Sequence, residues 1–107
     1  MADAPSVTEP VLLILLSLAE QPRHGYAIMK DVAKMSDGRV LLSTGTLYGA
    51  LRRMLEDGWI TRHGADDTSR GRQDYRLTIR GRKVLAHEVS RVKQLARIAR
   101  LRLAETE

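Results

Sequence analysis

Residues 43–58 read STGTLYGALRRMLEDG, and this stretch decides the architecture. Ser43 has the side chain that accepts from the unpaired N–H groups at a helix start, and Gly58 is the residue type that ends a helix. Between them Leu47, Ala50, Leu51, Met54 and Leu55 fall at i, i+3, i+4, i+7 and i+8, one buried helical stripe. The spacing predicts a helix reaching about Asp57. Its opposite face carries Thr44, Gly45, Tyr48, Gly49, Arg52 and Arg53, small, hydroxyl-bearing and cationic residues that no core requires.

Two helices are expected upstream. Thr8 or Ser6 can cap the first, with Pro10 in its opening turn, and it runs to about Glu20. It is apolar nearly all round, from Val11 to Leu16 and again at Leu18, so every face needs cover. In so small a domain one side, bearing Leu12 and Leu16, is expected to meet a second subunit. Gln21 to Gly25 is a break. A second helix follows from about Gly25 to Met35, with Ile28, Met29, Val32 and Met35 at helical spacing and Lys30, Asp31 and Lys34 outward, and Ser36-Asp37-Gly38 stops it.

Downstream the period changes. Trp59 to His63 and Arg72 to Leu77 read as two strands around a polar tip from Gly64 to Gly71. Thr78 caps a last helix running to about Glu105. Within it Leu85, Val89, Val92, Ala96, Ala99 and Leu103 are spaced 4, 3, 4, 3, 4, a heptad seam for a partner helix or for its own domain. Its length, roughly 40 Å at 1.5 Å per residue, favours a partner. The fold class is therefore mainly α with a two-stranded β wing. Residues 1–9 are a lead, 10–78 a winged helix-turn-helix, and 79–107 a dimerisation helix.

Composition narrows the function. The 107 residues are 43% hydrophobic, but Phe is absent and aromatics make up 4%, so aliphatic side chains must fill a single small core. With no Cys, thiol catalysis and disulfides are excluded, which suits a reducing cytoplasm. The apolar run Val11 to Leu16 has no basic residue before it and is far shorter than the roughly 20 residues of a bilayer span, so neither leader nor membrane anchor is expected.

The net charge of +5 is uneven. Residues 1–38 hold three basic and five acidic side chains, net −2, and the remainder hold fifteen and eight, net +7. That asymmetry points to a polyanionic partner, with nucleic acid ahead of a membrane. An enzyme is disfavoured, since no nucleophile–base pairing, phosphate loop or paired carboxylates occur. His24, His63 and His87 are far apart in sequence with no i, i+4 pair, so no metal or cofactor is expected.

The order helix, helix, helix, wing assigns the third helix to the major groove with its N-terminal end leading. Tyr48 and Arg52 share an exposed face there, with Arg53 beside them, and an Arg can hold guanine or a phosphate. Arg70 and Arg72 bring charge to a neighbouring backbone, unless Asp66 and Asp67 pair with them. Each residue has a plainer reading. Tyr48 can pack on the second helix, Tyr26 can be a core residue with its hydroxyl at the edge, and Arg52 and Arg53 can be solvated helix residues. Trp59 reads as core ahead of a ligand shelf. Arg91, Lys93, Arg97, Arg100 and Arg102 read as a solvated face.

His24-Gly25-Tyr26-Ala27-Ile28, Leu42 through Tyr48, Leu51 through Ile60, and Tyr75-Arg76-Leu77-Thr78 with Gly81-Arg82 together resemble the PadR family of bacterial transcriptional regulators, over roughly residues 10–85. The resemblance implies a dimeric repressor on a palindromic operator. It implies Ser43, Thr44, Gly45, Thr46 and Tyr48 at the groove, Tyr26 and Lys30 near phosphates, and a dimer made by the first and last helices. The single helix after the wing matches the short branch of the family, some of whose members bind flat aromatic effectors between subunits. One departure stands out: Gln73 and Asp74 occupy a place where many members carry a denser basic run, and a carboxylate facing a phosphate repels it. The competing expectation is a winged helix that binds protein instead of DNA. Such a module should expose apolar anchors on its third helix, where this chain has Thr, Gly, Tyr and Arg.

Overall fold

The computed structural model describes residues 7–67 and 72–105, with the side chains of 65–67 and 72 also outside the description. Helices α1 (Glu9–Glu20), α2 (Gly25–Met35) and α3 (Thr44–Glu56) precede strands β2 (Ile60–Asp67) and β3 (Arg72–Leu77), and α4 (Ile79–Glu105) closes the chain. A two-residue strand, β1 (Arg23–His24), lies in the break between α1 and α2. It pairs antiparallel with β3, so the sheet has three strands in the order β1-β3-β2, where the sequence suggests a two-stranded wing. A strand this short has no period of its own and is defined only by its partner.

Caps fix where the helices start. Thr8 accepts from Val11 N, His24 Nδ1 from Ala27 N at 3.3 Å, and Ser43 Oγ from Thr46 N at 3.1 Å. Thr78 Oγ1 accepts from Gly81 N at 3.0 Å and donates to Gly58 O, tying the start of α4 to the end of α3. At that end Gly58 adopts φ 78°, where a side chain would be strained, and Trp59 N donates to Met54 O.

The core is aliphatic around one Trp and one Tyr. Ile14, Leu15 and Leu18 of α1 meet Ile28 and Val32 of α2, Leu47, Leu51 and Met54 of α3, and Ile60, Tyr75 and Leu77 of the sheet. Trp59 is buried, in agreement with its reading as core. Arg23 pins three elements. It donates to Ser17 O, pairs with Glu20, and stands 3.6 Å from Asp31, so Asp31 is half-buried and does not face out. Met35, at the end of the α2 stripe, is exposed.

Only the first quarter of α4 belongs to this core. Leu85 is buried within its own chain, so it is not a seam residue free for a partner. Glu88 is buried too and accepts from Arg91, whose hydrogen bond holds the carboxyl below its usual range. From Val89 onward every described residue of α4 is exposed. No described helix is long and apolar enough to cross a membrane.

Gly81 provides a stability test of this packing. A methyl group there would overlap the Trp59 carbonyl oxygen and come 3.2 Å from Leu77 Cδ2. Gly81→Ala is expected to cost about 1–3 kcal/mol, the range for overpacking, and to lower the melting temperature by roughly 4–8 °C per kcal/mol. An unchanged thermal unfolding curve would mean that α4 docks more loosely than the structure shows.

Candidate nucleic-acid interface

The start of α3 is where the sequence places the site. Leu47, Ala50, Leu51 and Met54 are buried, while Ser43, Thr44, Gly45, Thr46, Tyr48 and Arg52 are exposed, so the helix is divided as its period requires. The Ser43 hydroxyl caps Thr46 N and also donates to Thr46 Oγ1 at 2.9 Å, which orders the first turn without covering it. The N–H groups opening a helix lack intrahelical acceptors and carry partial positive charge, which suits an approaching phosphate. Gly45 and Gly49, one turn apart, face open space: a methyl on either would meet nothing within 4 Å.

Beside this surface lies the first turn of α2. Tyr26 is 64% exposed, which removes the reading that buries it, and the Lys30 ammonium sits 5.4 Å from its ring centre. The exposed pair therefore presents a cation and a phenol together. Tyr48 combines both sequence readings. It is 44% exposed, yet its ring rests on Gly25, where a methyl group would overlap the hydroxyl. Arg53 parts company with Arg52. Exposed as it is, it borders a shallow hollow of about 250 Å³ with Thr8, Val11, Asp57 and Trp59.

On the wing, Arg70 and the side chain of Arg72 lie outside the described residues, and so do the side chains of Asp66 and Asp67. The described strands present two other cations, Arg62 and Arg76, both exposed. Sequence reasoning missed Arg62. Its signal was the two-residue alternation that puts it on one face with Ile60, opposite Tyr75 across the ladder. The Tyr75 phenol is raised above its ordinary value by burial and by the neighbouring Tyr48, with Arg62 pulling it back, so it stays protonated at neutral pH.

The histidines are less isolated than their sequence separation implies. His24 on β1 and His63 on β2 both stand opposite Asp74 on the central strand, forming one cross-strand row. With Tyr75 and Leu77 buried, alternation puts Asp74 on the opposite face, where it is half-buried. Among the described residues no group of three metal-ligating side chains is placed to hold an ion.

Comparison with known proteins agrees with this geometry. The model of the transcriptional regulator PadR-like family matches residues 14–87, well over half of the chain. A relative from Streptomyces fradiae, an uncharacterised 37.1 kDa transposon protein, is 38% identical over 86 residues, covering 79% of this chain and 23% of that protein. The chain thus spans about a quarter of that relative. A transcriptional regulator from Clostridium thermocellum superimposes with a TM-score of 0.71 at 26% identity, covering 83% of this chain and 87% of the other. A PadR family transcription regulator from Clostridium difficile gives 0.70 at 26% identity, covering 90% and 99%.

The bare stripe on α3 supplies a prediction in which stability and binding move apart. A glycine inside a helix costs roughly 0.5–1 kcal/mol relative to alanine, and nothing within the chain requires one at Gly49. Gly49→Ala is expected to raise the melting temperature and to weaken binding to duplex DNA, because the methyl occupies the surface that a duplex would meet. A stabilised variant with unaltered DNA affinity would remove Gly49 from the interface.

Proposed function

The chain belongs to the PadR-like family of transcriptional regulators, whose members are not enzymes, and from that membership we propose that it represses transcription by binding a palindromic operator as a homodimer. The observation that carries this reading is the division of α3. Its inner stripe is sealed into the core, and its outer face offers hydroxyls, open backbone and Arg52. That chemistry suits base edges and phosphates and is poor in apolar anchors for a protein partner. Ser43, Thr44, Gly45, Thr46 and Arg52 then enter the major groove. Tyr26 and Lys30 hold the flanking phosphates, and Arg53, Arg70 and Arg72 add charge at the margins.

The exposed apolar side chains of α4 support the homodimer. Val89, Val92, Leu95, Ile98 and Leu103 are all exposed along a helix that has left its own core, and Ala96 and Ala99 continue the same seam. Leu12 and Leu16 of α1, half-buried in one chain, extend the apolar surface that a second copy would cover. In such a homodimer the two recognition helices would meet half-sites about one turn of DNA apart, as a palindrome requires. The cytoplasm, where the operator would be, is the site of action.

Two measurements test this reading. If the dimer makes about six to ten phosphate contacts, affinity for duplex DNA should fall roughly a thousandfold or more between about 50 and 200 mM salt. A flat salt response in a DNA titration would contradict it. Val92→Glu should yield monomers by sedimentation and weaken operator binding, since the seam would have to bury a charge. A variant that remains dimeric would place the seam elsewhere.

A further inference from the structure

Tyr48 sits at a junction that DNA binding by itself does not explain. Its ring lies directly on the backbone of Gly25, the first residue of α2: a methyl there would overlap Oη and come 2.8 Å from Cζ. The same methyl would come 3.3 Å from Leu47 Cδ2, so two consecutive residues of α3 are seated on one bare position. Gly25 immediately follows His24, which is held in the sheet opposite Asp74 and also caps α2. α3 also packs on β2 and α2 on β3, where the buried Tyr75, whose phenol the Tyr48 phenol helps to raise, stands opposite Arg62 of β2 across the ladder. Tyr48 thus touches α2 directly and lies within electrostatic reach of the central strand, which carries β2, the wing's other strand, beside it.

We propose that Tyr48 is a positioning residue, a strut that sets the distance between the leading end of α3 and the wing by resting on Gly25 beside the Tyr75–Arg62 rung. The inference rests on the DNA-binding reading above and assigns Tyr48 a role different from reading a base. A duplex has fixed groove spacing, so a helix and a wing that contact it together must be held to within about half an ångström by residues that do not themselves touch it. Gly25 is what makes the strut fit, because any Cβ at that position would push the ring away. The exposed part of Tyr48 is what remains of a side chain wedged between elements, and the exposed Tyr26–Lys30 pair next to Gly25 is carried along in register with α3.

The test uses the full chain and three variants, Gly25→Ala, Tyr48→Ala and Tyr48→Phe. Two readouts are taken. The first needs no DNA: the chain has no Cys, so spin labels at Thr44→Cys and His63→Cys, diluted with unlabelled protein, report the helix-to-wing distance within one chain. The parent should give one narrow distance, Gly25→Ala and Tyr48→Ala a shifted or broadened one, and Tyr48→Phe, which keeps the ring, the narrow one again. An unchanged distance in both alanine variants overturns the strut, whether or not the protein binds DNA. The second readout is the salt dependence and footprint on a duplex selected by the wild-type protein. Both alanine variants should bind at least tenfold more weakly, lose the flanking protection from the wing, and lower the salt slope by about two or more, since several phosphate contacts go together. Tyr48→Phe should keep the flanking protection. If instead Tyr48→Phe weakens binding as much as Tyr48→Ala does, with the wing footprint and the salt slope both intact, the Tyr48 hydroxyl is a direct hydrogen-bond donor to the duplex and the strut is wrong, because a neutral phenol releases no counterions. Failure of the wild-type protein to bind any duplex refutes the regulator reading, and the label distances still decide the strut.

Discussion

The structure depends on α3 being buried on one side and left bare on the other. Leu47, Ala50, Leu51 and Met54 are held in one aliphatic core with residues of α1, α2 and the sheet. The core does not extend over the outer face of α3, where Tyr48 rests on Gly25 and Thr44, Gly45 and Arg52 stay exposed. Two glycines in that exposed face weaken the helix, and the core gains nothing from them. Local stability is therefore given up at the place where an outside surface would approach, and the deficit is met by caps at Ser43 and Gly58 and by the dense packing at Gly81.

A second constraint is geometric. A helix and a wing are useful together only if their spacing is rigid, and the elements that fix it are small. One two-residue strand carries Arg23 and His24 onto β3, Arg23 ties α1 to α2, and Gly25 leaves room for Tyr48. Each of these contacts is made by one or two residues. Their effect comes from linking neighbouring elements at positions where movement of either would be felt in both.

Much of this was legible in the sequence because it is local. The α3 stripe, the caps at Ser43 and Thr78, and the long final helix all follow from residues within a few positions of one another, and the structure places them as expected. What could not be read was non-local. The pairing of β1 with β3 joins residues about fifty positions apart, and no period marks a two-residue strand. His24 and His63 gain Asp74 as a common neighbour only through strand register, and Tyr48 shows its seat on Gly25 only once two helices are packed. Leu85 fits the heptad as well as Val89 does. It falls inside the domain because the first turns of α4 are still wrapped around it, a boundary that spacing alone does not reveal.

The most direct test of the central claim is to let the purified protein select duplexes from random sequence and then to map the selected sites by guanine N7 methylation interference, which probes the major groove. A bare, cationic α3 acting in a symmetric pair should return two inverted half-sites about one helical turn apart, with interference at guanines within each half-site. Recovery of no preferred sequence, or of sites where N7 methylation has no effect, would contradict it.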